Sequence, residues 1–164
     1  YAELKKADAG KEEKIPLLSD VFDLVKDNKI RVHIELKEES ISKPVIELID
    51  KYNFIRRVWI ISFLHKEIFK VKRINPEIKA GLLIVHNPVS AKEMLLAVDA
   101  DSLDVVYDRV DSDLVKEVHS LNKIITVWGK IDNEKKIERA LKLGVDGIAS
   151  DYPDLLAKVI KEKR

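Results

Sequence analysis

The sequence contains no cysteine. This absence excludes a disulfide framework, a thiolate metal site and a cysteine nucleophile. The apolar runs are too short to span a bilayer, so no transmembrane segment is predicted. Neither sign of charge dominates, because 30 Lys and Arg residues balance 29 Asp and Glu residues. We therefore expect no nucleic-acid partner, and any ligand must be recognised by local features.

The composition is that of one folded domain. The chain has 164 residues, of which 46% are hydrophobic, enough for a substantial core. No linker or low-complexity tract divides it, so we predict a single domain over 1–164. Abundant charge, many Ile, Lys and Glu residues and the lack of cysteine are compatible with a thermophilic source.

The first residue is Tyr1, and the opening stretch YAELKKADAGKEEK is polar, without the apolar centre of a signal peptide. We expect the native N-terminus to lie upstream of it. A cytoplasmic location is also predicted.

Short β-branched runs alternate with longer amphipathic runs along the chain. Pro16 lies just inside a first helical pattern, LLSDVFDLVKDN, and six strand-then-helix units follow. The predicted strands are RVHIEL, VWIISF, AGLLIV, LDVVY, IITVW and VDGIA. Such alternation predicts a parallel sheet covered by helices.

Two architectures use that order, a doubly wound open sheet and a (β/α)8 TIM barrel. No Gly-rich phosphate loop follows any predicted strand, so the dinucleotide-binding open sheet loses its usual support. A barrel needs eight units in about 250 residues. Only six are present here, with one leading helix. We therefore predict an α/β TIM barrel represented by units β3 to β8, with the first βαβ segment outside this sequence.

Several residues mark the predicted ends of elements. Asp132 is the expected N-terminal cap of the helix that follows it, and Gly144 the expected terminator of that helix. Pro153 suits a first helical turn. Asp146 and Asp151 are expected to organise the last strand and its turn, because Asp accepts backbone hydrogen bonds there.

The stretch IRVHIELK alternates between apolar and polar side chains. Because side chains alternate across a strand, His33, Glu35 and Lys37 share one face. This pattern fits either a half-exposed strand with a wet face or a buried strand whose polar face lines a site. The apolar neighbouring strands favour the second alternative.

In a barrel the active site lies at the C-terminal ends of the strands, where Glu35 and Lys37 are predicted to lie. A carboxylate there can bind a hard divalent cation, and an ammonium can neutralise a phosphate. The alternative is a structural Glu35–Lys37 ion pair. Further candidates at strand ends are Ser62, His65, His86, Tyr107 to Arg109, Trp128 to Lys130, Ser150 and Asp151.

The four histidines receive separate interpretations. His33 is interpreted as buried and hydrogen-bonded, and His65 as a local contact at a helix start. His86 follows a strand and is the best of the four for a substrate-side contact, although a structural role is favoured. His119 falls in a helix and is interpreted as a surface or packing residue.

Three ordered segments resemble the glycerophosphodiester phosphodiesterases. They are IPLLSDVFDLV followed by RVHIELK, then IISF with His65, and finally VW with LGVDGIASDYPDLL. The resemblance runs through the whole chain and matches β3 to β8 of that family's TIM barrel. It implies hydrolysis of glycerophosphodiesters to glycerol 3-phosphate and an alcohol, with Mg²⁺ or Ca²⁺ as cofactor.

The resemblance also implies residue roles. Glu35 would be one of three carboxylates that bind the metal, Lys37 would contact the phosphate, and Trp128 would border the glycerol pocket. The family's Thr-Val-Asn after this aromatic is replaced by Gly-Lys-Ile at 129–131. The family's two catalytic histidines and paired Glu-x-Asp ligands lie upstream of Tyr1, so no catalytic residue is predicted within this chain, which alone should be inactive.

Two alternative functions remain open from the sequence. One is a noncatalytic barrel module that binds phosphate or glycerol. The other is a different phosphate-handling TIM-barrel enzyme.

Overall fold

A computed structural model describes residues 3–163. Six strands within this range form one parallel sheet. The strands are hydrogen-bonded in chain order, so β1 and β6 are the edges of the described sheet. The strands are β1 Val32–Glu35, β2 Val58–Ser62, β3 Lys79–Ile84, β4 Ser102–Val106, β5 Ile124–Trp128 and β6 Gly147–Ile148. The predicted set of six parallel strands is confirmed.

Within the described residues, one α-helix precedes the sheet and one α-helix follows each strand. The helices are α1 Leu18–Val25, α2 Ser42–Lys51, α3 His65–Ile74, α4 Ala91–Val98, α5 Ser112–Ser120, α6 Glu134–Leu143 and α7 Pro153–Glu162. None of the helices within residues 3–163 is long and apolar enough to cross a membrane. The predicted order of one unpaired helix and six βα units is confirmed.

The hydrophobic core lies between the sheet and the helices. Strand register places Ile34 beside Ile60, and Leu82 beside Leu103, which in turn pairs with Ile125. All five side chains are buried. Because side chains alternate along a strand, the residues between them point to the opposite face of the sheet.

That opposite face is concave. The indole Nε1 of Trp59 in β2 donates to the hydroxyl of Ser102 in β4 at 3.0 Å, although β3 lies between these strands. His33 of β1 and Thr126 of β5 line one groove. Contacts across intervening strands require the sheet to curl, as it does in a barrel.

Two of the predicted helix ends are confirmed and one is wrong. Gly144 ends α6 in the left-handed conformation, with φ of 81°, and Pro153 begins α7. The cap of α6 is Asn133, whose side chain accepts from the Lys136 amide, and not Asp132. Asp132 instead binds the Lys136 ammonium at 3.0 Å. Adjacent Asp and Asn residues have similar cap propensities, so the backbone conformation decided between them.

The leading helix is anchored by its partners from the β1–β2 connection. Pro16 precedes α1 and does not lie inside it. Phe22 is fully buried and stacks on Phe54 with ring centroids 4.6 Å apart. The Arg57 guanidinium donates to the carbonyl of Val25, the last residue of α1, at 2.6 Å, and to that of Lys26 at 2.9 Å. Carbonyls at a helix end lack the regular helical hydrogen bond, and Arg57 supplies a donor to these two.

Candidate active site

The carboxyl ends of all six strands meet at one edge of the sheet, because the strands are parallel. Glu35 ends β1, and Lys37 follows two residues later, just beyond the strand. The Lys37 ammonium lies 3.4 Å from a Glu35 carboxylate oxygen, and their side chains are 75% and 31% exposed. Both predicted side chains thus face solvent at the concave edge.

The polar face of β1 has features of both predicted alternatives, a solvent-exposed face and a face that lines a site. It is an edge strand of the described sheet, so His33 and Glu35 are exposed, while Ile34 between them is buried. The exposed face is nevertheless the concave one, since His33 stacks on Trp59 with centroids 6.1 Å apart. The polar face is therefore both solvent-exposed and directed at the barrel interior.

An aromatic pair forms another part of the same edge. The Trp128 indole Nε1, at the end of β5, donates to the backbone carbonyl of Asp104 at 2.9 Å. Its ring meets Phe63, which follows β2, edge to face with centroids 5.6 Å apart. Phe63 is 45% exposed. Trp128 is thereby held by β4 and presents an apolar wall together with Phe63.

A buried carboxyl lies deeper on the concave face. Asp104 is only 2% exposed and accepts from the Ser102 hydroxyl at 2.7 Å. Burial raises the pKa of Asp104 to about 6, although hydrogen bonds from the side chains of Ser102 and Thr126 act in the opposite direction. The β3 backbone must approach this pair closely, since a Cβ at Gly81 would lie 2.3 Å from the Asp104 carboxylate.

The backbone that carries Glu35 and Lys37 is bound from β2. The Leu36 amide donates to the carbonyl of Ile61 at 2.9 Å, and the Leu36 carbonyl accepts from the Ser62 hydroxyl at 2.6 Å. Ser62 is fully buried. Its side chain therefore extends the pairing of β1 and β2 past the last residue of β1.

A second buried carboxylate binds the loop after β1. Glu67 in α3 is 1% exposed and accepts from the Ser40 amide at 3.0 Å, from the Ser42 hydroxyl and from the Lys70 ammonium at 2.5 Å. Burial would raise the pKa of Glu67, but these hydrogen bonds outweigh it and lower the pKa to about 2. The carboxylate is therefore charged at neutral pH.

The histidines lie apart from one another. His33 is exposed, so its interpretation as a buried residue is wrong, although partial burial lowers its pKa. The His65 ring bonds the Leu83 carbonyl at 3.0 Å, the local contact that was predicted. His86 is exposed after β3. His119 contacts the Asp146 carboxylate at 2.8 Å.

Asp146 also accepts from the Ile125 amide at 2.8 Å, which confirms its predicted role in ordering the last strand. Because Ile125 lies near the start of β5, the pair of Asp146 and His119 belongs to the opposite edge of the sheet from Glu35. Ser150 donates to the carbonyl of Ile131 at 2.7 Å and accepts from the Tyr152 amide. These contacts stabilise the turn before α7.

The described residues do not form a complete metal site. Within residues 3–163, no three His, Asp or Glu side chains lie close enough together to bind one ion. Glu35 offers an oxygen ligand of the type that Mg²⁺ and Ca²⁺ prefer, with an accessible carboxylate. Its side chain fits the role of one ligand of such an ion.

Sequence reasoning missed Asp104, Phe63 and Glu67 as residues around this edge. The segment SLDVV carries a period-two signal like that of β1, with Ser102 and Asp104 on one face. That signal could have placed Asp104 on the concave face. Glu67 has no comparable signal, because a Glu in the first turn of a helix is also a common surface feature.

A curled sheet of six parallel βα units with charged and aromatic side chains at its carboxyl edge defines the class of partial TIM-barrel proteins. The model of the glycerophosphoryl diester phosphodiesterase family matches residues 1–155. The chain belongs to this family.

Two relatives and one crystal structure illustrate the family. Glycerophosphodiester phosphodiesterase of Caldanaerobacter subterraneus is 34% identical, over 98% of this chain and 70% of the relative. The enzyme of the same name from Bacillus altitudinis is 29% identical, over 100% of this chain and 73% of the relative. The crystal structure of a Galdieria sulphuraria protein, provisionally named a glycerophosphodiester phosphodiesterase, superposes with a TM-score of 0.90 and 26% sequence identity. The match covers 98% of this chain and 69% of that one.

Proposed function

We propose that the full-length protein hydrolyses glycerophosphodiesters to glycerol 3-phosphate and an alcohol, with Mg²⁺ or Ca²⁺ as cofactor. The observation that carries the proposal is the Glu35–Lys37 pair at the carboxyl edge of β1, in a chain of this family. The reaction cleaves one phosphorus–oxygen bond of the diester. Water supplies the new oxygen on phosphorus and the proton on the departing alcohol.

Each residue at this edge receives one role. Glu35 would hold the divalent ion, and a bound ion would supply positive charge to the phosphoryl oxygens. Lys37 has a long, mostly exposed side chain, which suits it to pair with the phosphate as a point charge. Trp128 packs against the glycerol carbons.

The chain's own histidines take no proton-transfer role in this proposal. His65 is engaged by the Leu83 carbonyl, and His119 lies at the opposite edge. The resemblance assigns the acid and base to two family histidines that this sequence does not contain. A cytoplasmic location also stays a prediction, and cell fractionation would test it.

The experiment compares Glu35→Gln with Glu38→Gln in the full-length protein. Glu38 is an exposed carboxylate three residues further along the chain, so it is a matched control for lost charge. The substrate is glycerophosphocholine, released glycerol 3-phosphate is measured with and without chelator, and p-nitrophenyl phosphate tests for a general phosphoesterase. Calorimetric titration with Mg²⁺ and Ca²⁺ measures the metal affinity.

We expect chelator-sensitive hydrolysis of glycerophosphocholine by the wild type and by Glu38→Gln. Glu35→Gln should weaken metal binding and largely abolish turnover. Unchanged metal-dependent turnover in Glu35→Gln would remove Glu35 from the site. A full-length wild type that binds glycerol 3-phosphate without hydrolysing any ester would instead identify a noncatalytic binding module.

A further inference from the structure

The segment that carries Glu35 and Lys37 leaves the sheet at Leu36 and enters α2 at Ser42. Between these points, residues 37–41 are without regular secondary structure. Ser40 lies in the left-handed conformation, with φ of 65°, which is unfavourable for a residue with a Cβ. Hydrogen bonds from other elements must therefore maintain this path.

Those hydrogen bonds come from two buried side chains, one at each end of the segment. Ser62 donates to the Leu36 carbonyl, which belongs to the peptide bond that joins Leu36 to Lys37. Glu67 accepts from the Ser40 amide and the Ser42 hydroxyl. The N-cap residue of α2 is Ile41, which makes no side-chain cap hydrogen bond. The Glu67 carboxylate, from the neighbouring helix α3, instead accepts hydrogen bonds at the start of α2.

Two features make this arrangement stiff. Ser62 also accepts from the Leu64 amide at 2.9 Å, which ties its hydroxyl to the turn that leads into α3. Glu67 lies in the first turn of α3 and is bound by Lys70 one turn later. Both side chains thus belong to the β2–α3 unit, and their positions relative to each other are set by one short turn.

We propose that Ser62 and Glu67 are positioning residues that hold Glu35 and Lys37 in register for the metal and the phosphate. This inference rests on the proposed function of the Glu35–Lys37 pair. Ser62 and Glu67 are both buried, so neither presents its side chain to a ligand at the surface. They act by fixing the backbone on both sides of Lys37, so that the carboxylate and the ammonium converge on one bound phosphoester.

The test uses Ser62→Ala and Glu67→Gln in the full-length protein. Loss of a residue that orients a metal ligand typically weakens metal affinity about 10- to 100-fold. We expect a weakening of that order for Mg²⁺ and Ca²⁺ by calorimetry, with a matching fall in kcat/KM for glycerophosphocholine. Hydrogen exchange of the amides at 36–42 should accelerate in both variants, while that of β4 and β5 stays at the wild-type rate.

Asp101→Asn is the control for a merely structural role. Asp101 accepts from the Lys72 ammonium at 2.9 Å, the Lys79 ammonium at 2.7 Å and the Ala80 amide at 3.0 Å. It resembles Glu67 in its partners but lies at the opposite edge of the sheet, where β4 begins. Asp101→Asn should lower Tm without changing metal affinity.

The outcomes separate the two proposals. An inactive wild type that binds no divalent cation would overturn the proposed function and, with it, this inference. An active wild type whose Ser62→Ala and Glu67→Gln variants lose only Tm, like Asp101→Asn, would overturn the inference alone. Weaker metal binding with faster exchange at 36–42 supports it.

Discussion

Replacing Asp104 by Asn should stabilise the protein at neutral pH. The folded-state pKa of this buried carboxyl is about 6, against an ordinary value of 3.8. Between these two values the folded state retains a proton that the unfolded state has released, so the free energy of unfolding falls as pH rises. Each pKa unit corresponds to about 1.4 kcal/mol, which makes the loss about 3 kcal/mol at pH 7.

The assay is urea unfolding of wild type and Asp104→Asn at a series of pH values from 3.5 to 8. Asn keeps the shape of Asp and a carbonyl that accepts from Ser102, but it cannot ionise. The stability difference between the two proteins should shift by about 2.4 kcal/mol in favour of the variant as pH rises from 4 to 7, because part of the full change already lies below pH 4. Asp113→Asn, at a side chain that is 91% exposed, is the control and should show little change.

A stability difference that is the same at pH 4 and at pH 7 would refute this reasoning. It would mean that Asp104 has the same pKa in the folded and unfolded states. The direction of the change is also diagnostic, because a carboxylate stabilised by its partners would make the Asn variant less stable as pH rises.

Two further substitutions test the packing. Phe22→Ala in α1 should lower the free energy of unfolding by about 3 to 5 kcal/mol, because the side chain is fully buried. The control is Leu24→Ala, at an 81% exposed position of the same helix. In the same urea assay it should change the free energy of unfolding by less than about 0.5 kcal/mol. Gly81→Ala should be destabilising by about 1 to 3 kcal/mol, since its Cβ would lie 2.0 Å from the Ser102 hydroxyl and 2.3 Å from the Asp104 carboxylate. A thermal unfolding midpoint equal to wild type for Gly81→Ala would show that the concave face has room there.

The positions of the elements could be read from the sequence because each depends on local pattern. Short β-branched runs marked all six strands, and amphipathic runs at helical spacing marked all seven α-helices. Gly144 and Pro153 marked helix ends because only their own backbone preferences were needed. The prediction of Asp132 as the cap was wrong, because the helix begins at Glu134 and the residue directly before it is Asn133. Pattern alone did not fix that starting residue.

The candidate site divides in the same way. Glu35 and Lys37 were found from spacing along a single strand. The aromatic pair of Trp128 with Phe63, by contrast, joins residues from β5 and from the end of β2. Its members meet only when the sheet curls, so no pattern along the chain could pair them.

The sequence by itself determined the succession of strands and helices and the face of β1 that carries charge, because both follow from the geometry of the local backbone. Tertiary structure alone decided that Ser62 and Glu67 hold the loop beside Lys37, and that Asp104 is buried. The Ser62 and Glu67 contacts join residues about 25 positions apart. They form because parallel pairing and helix packing bring distant parts of the chain to the same edge.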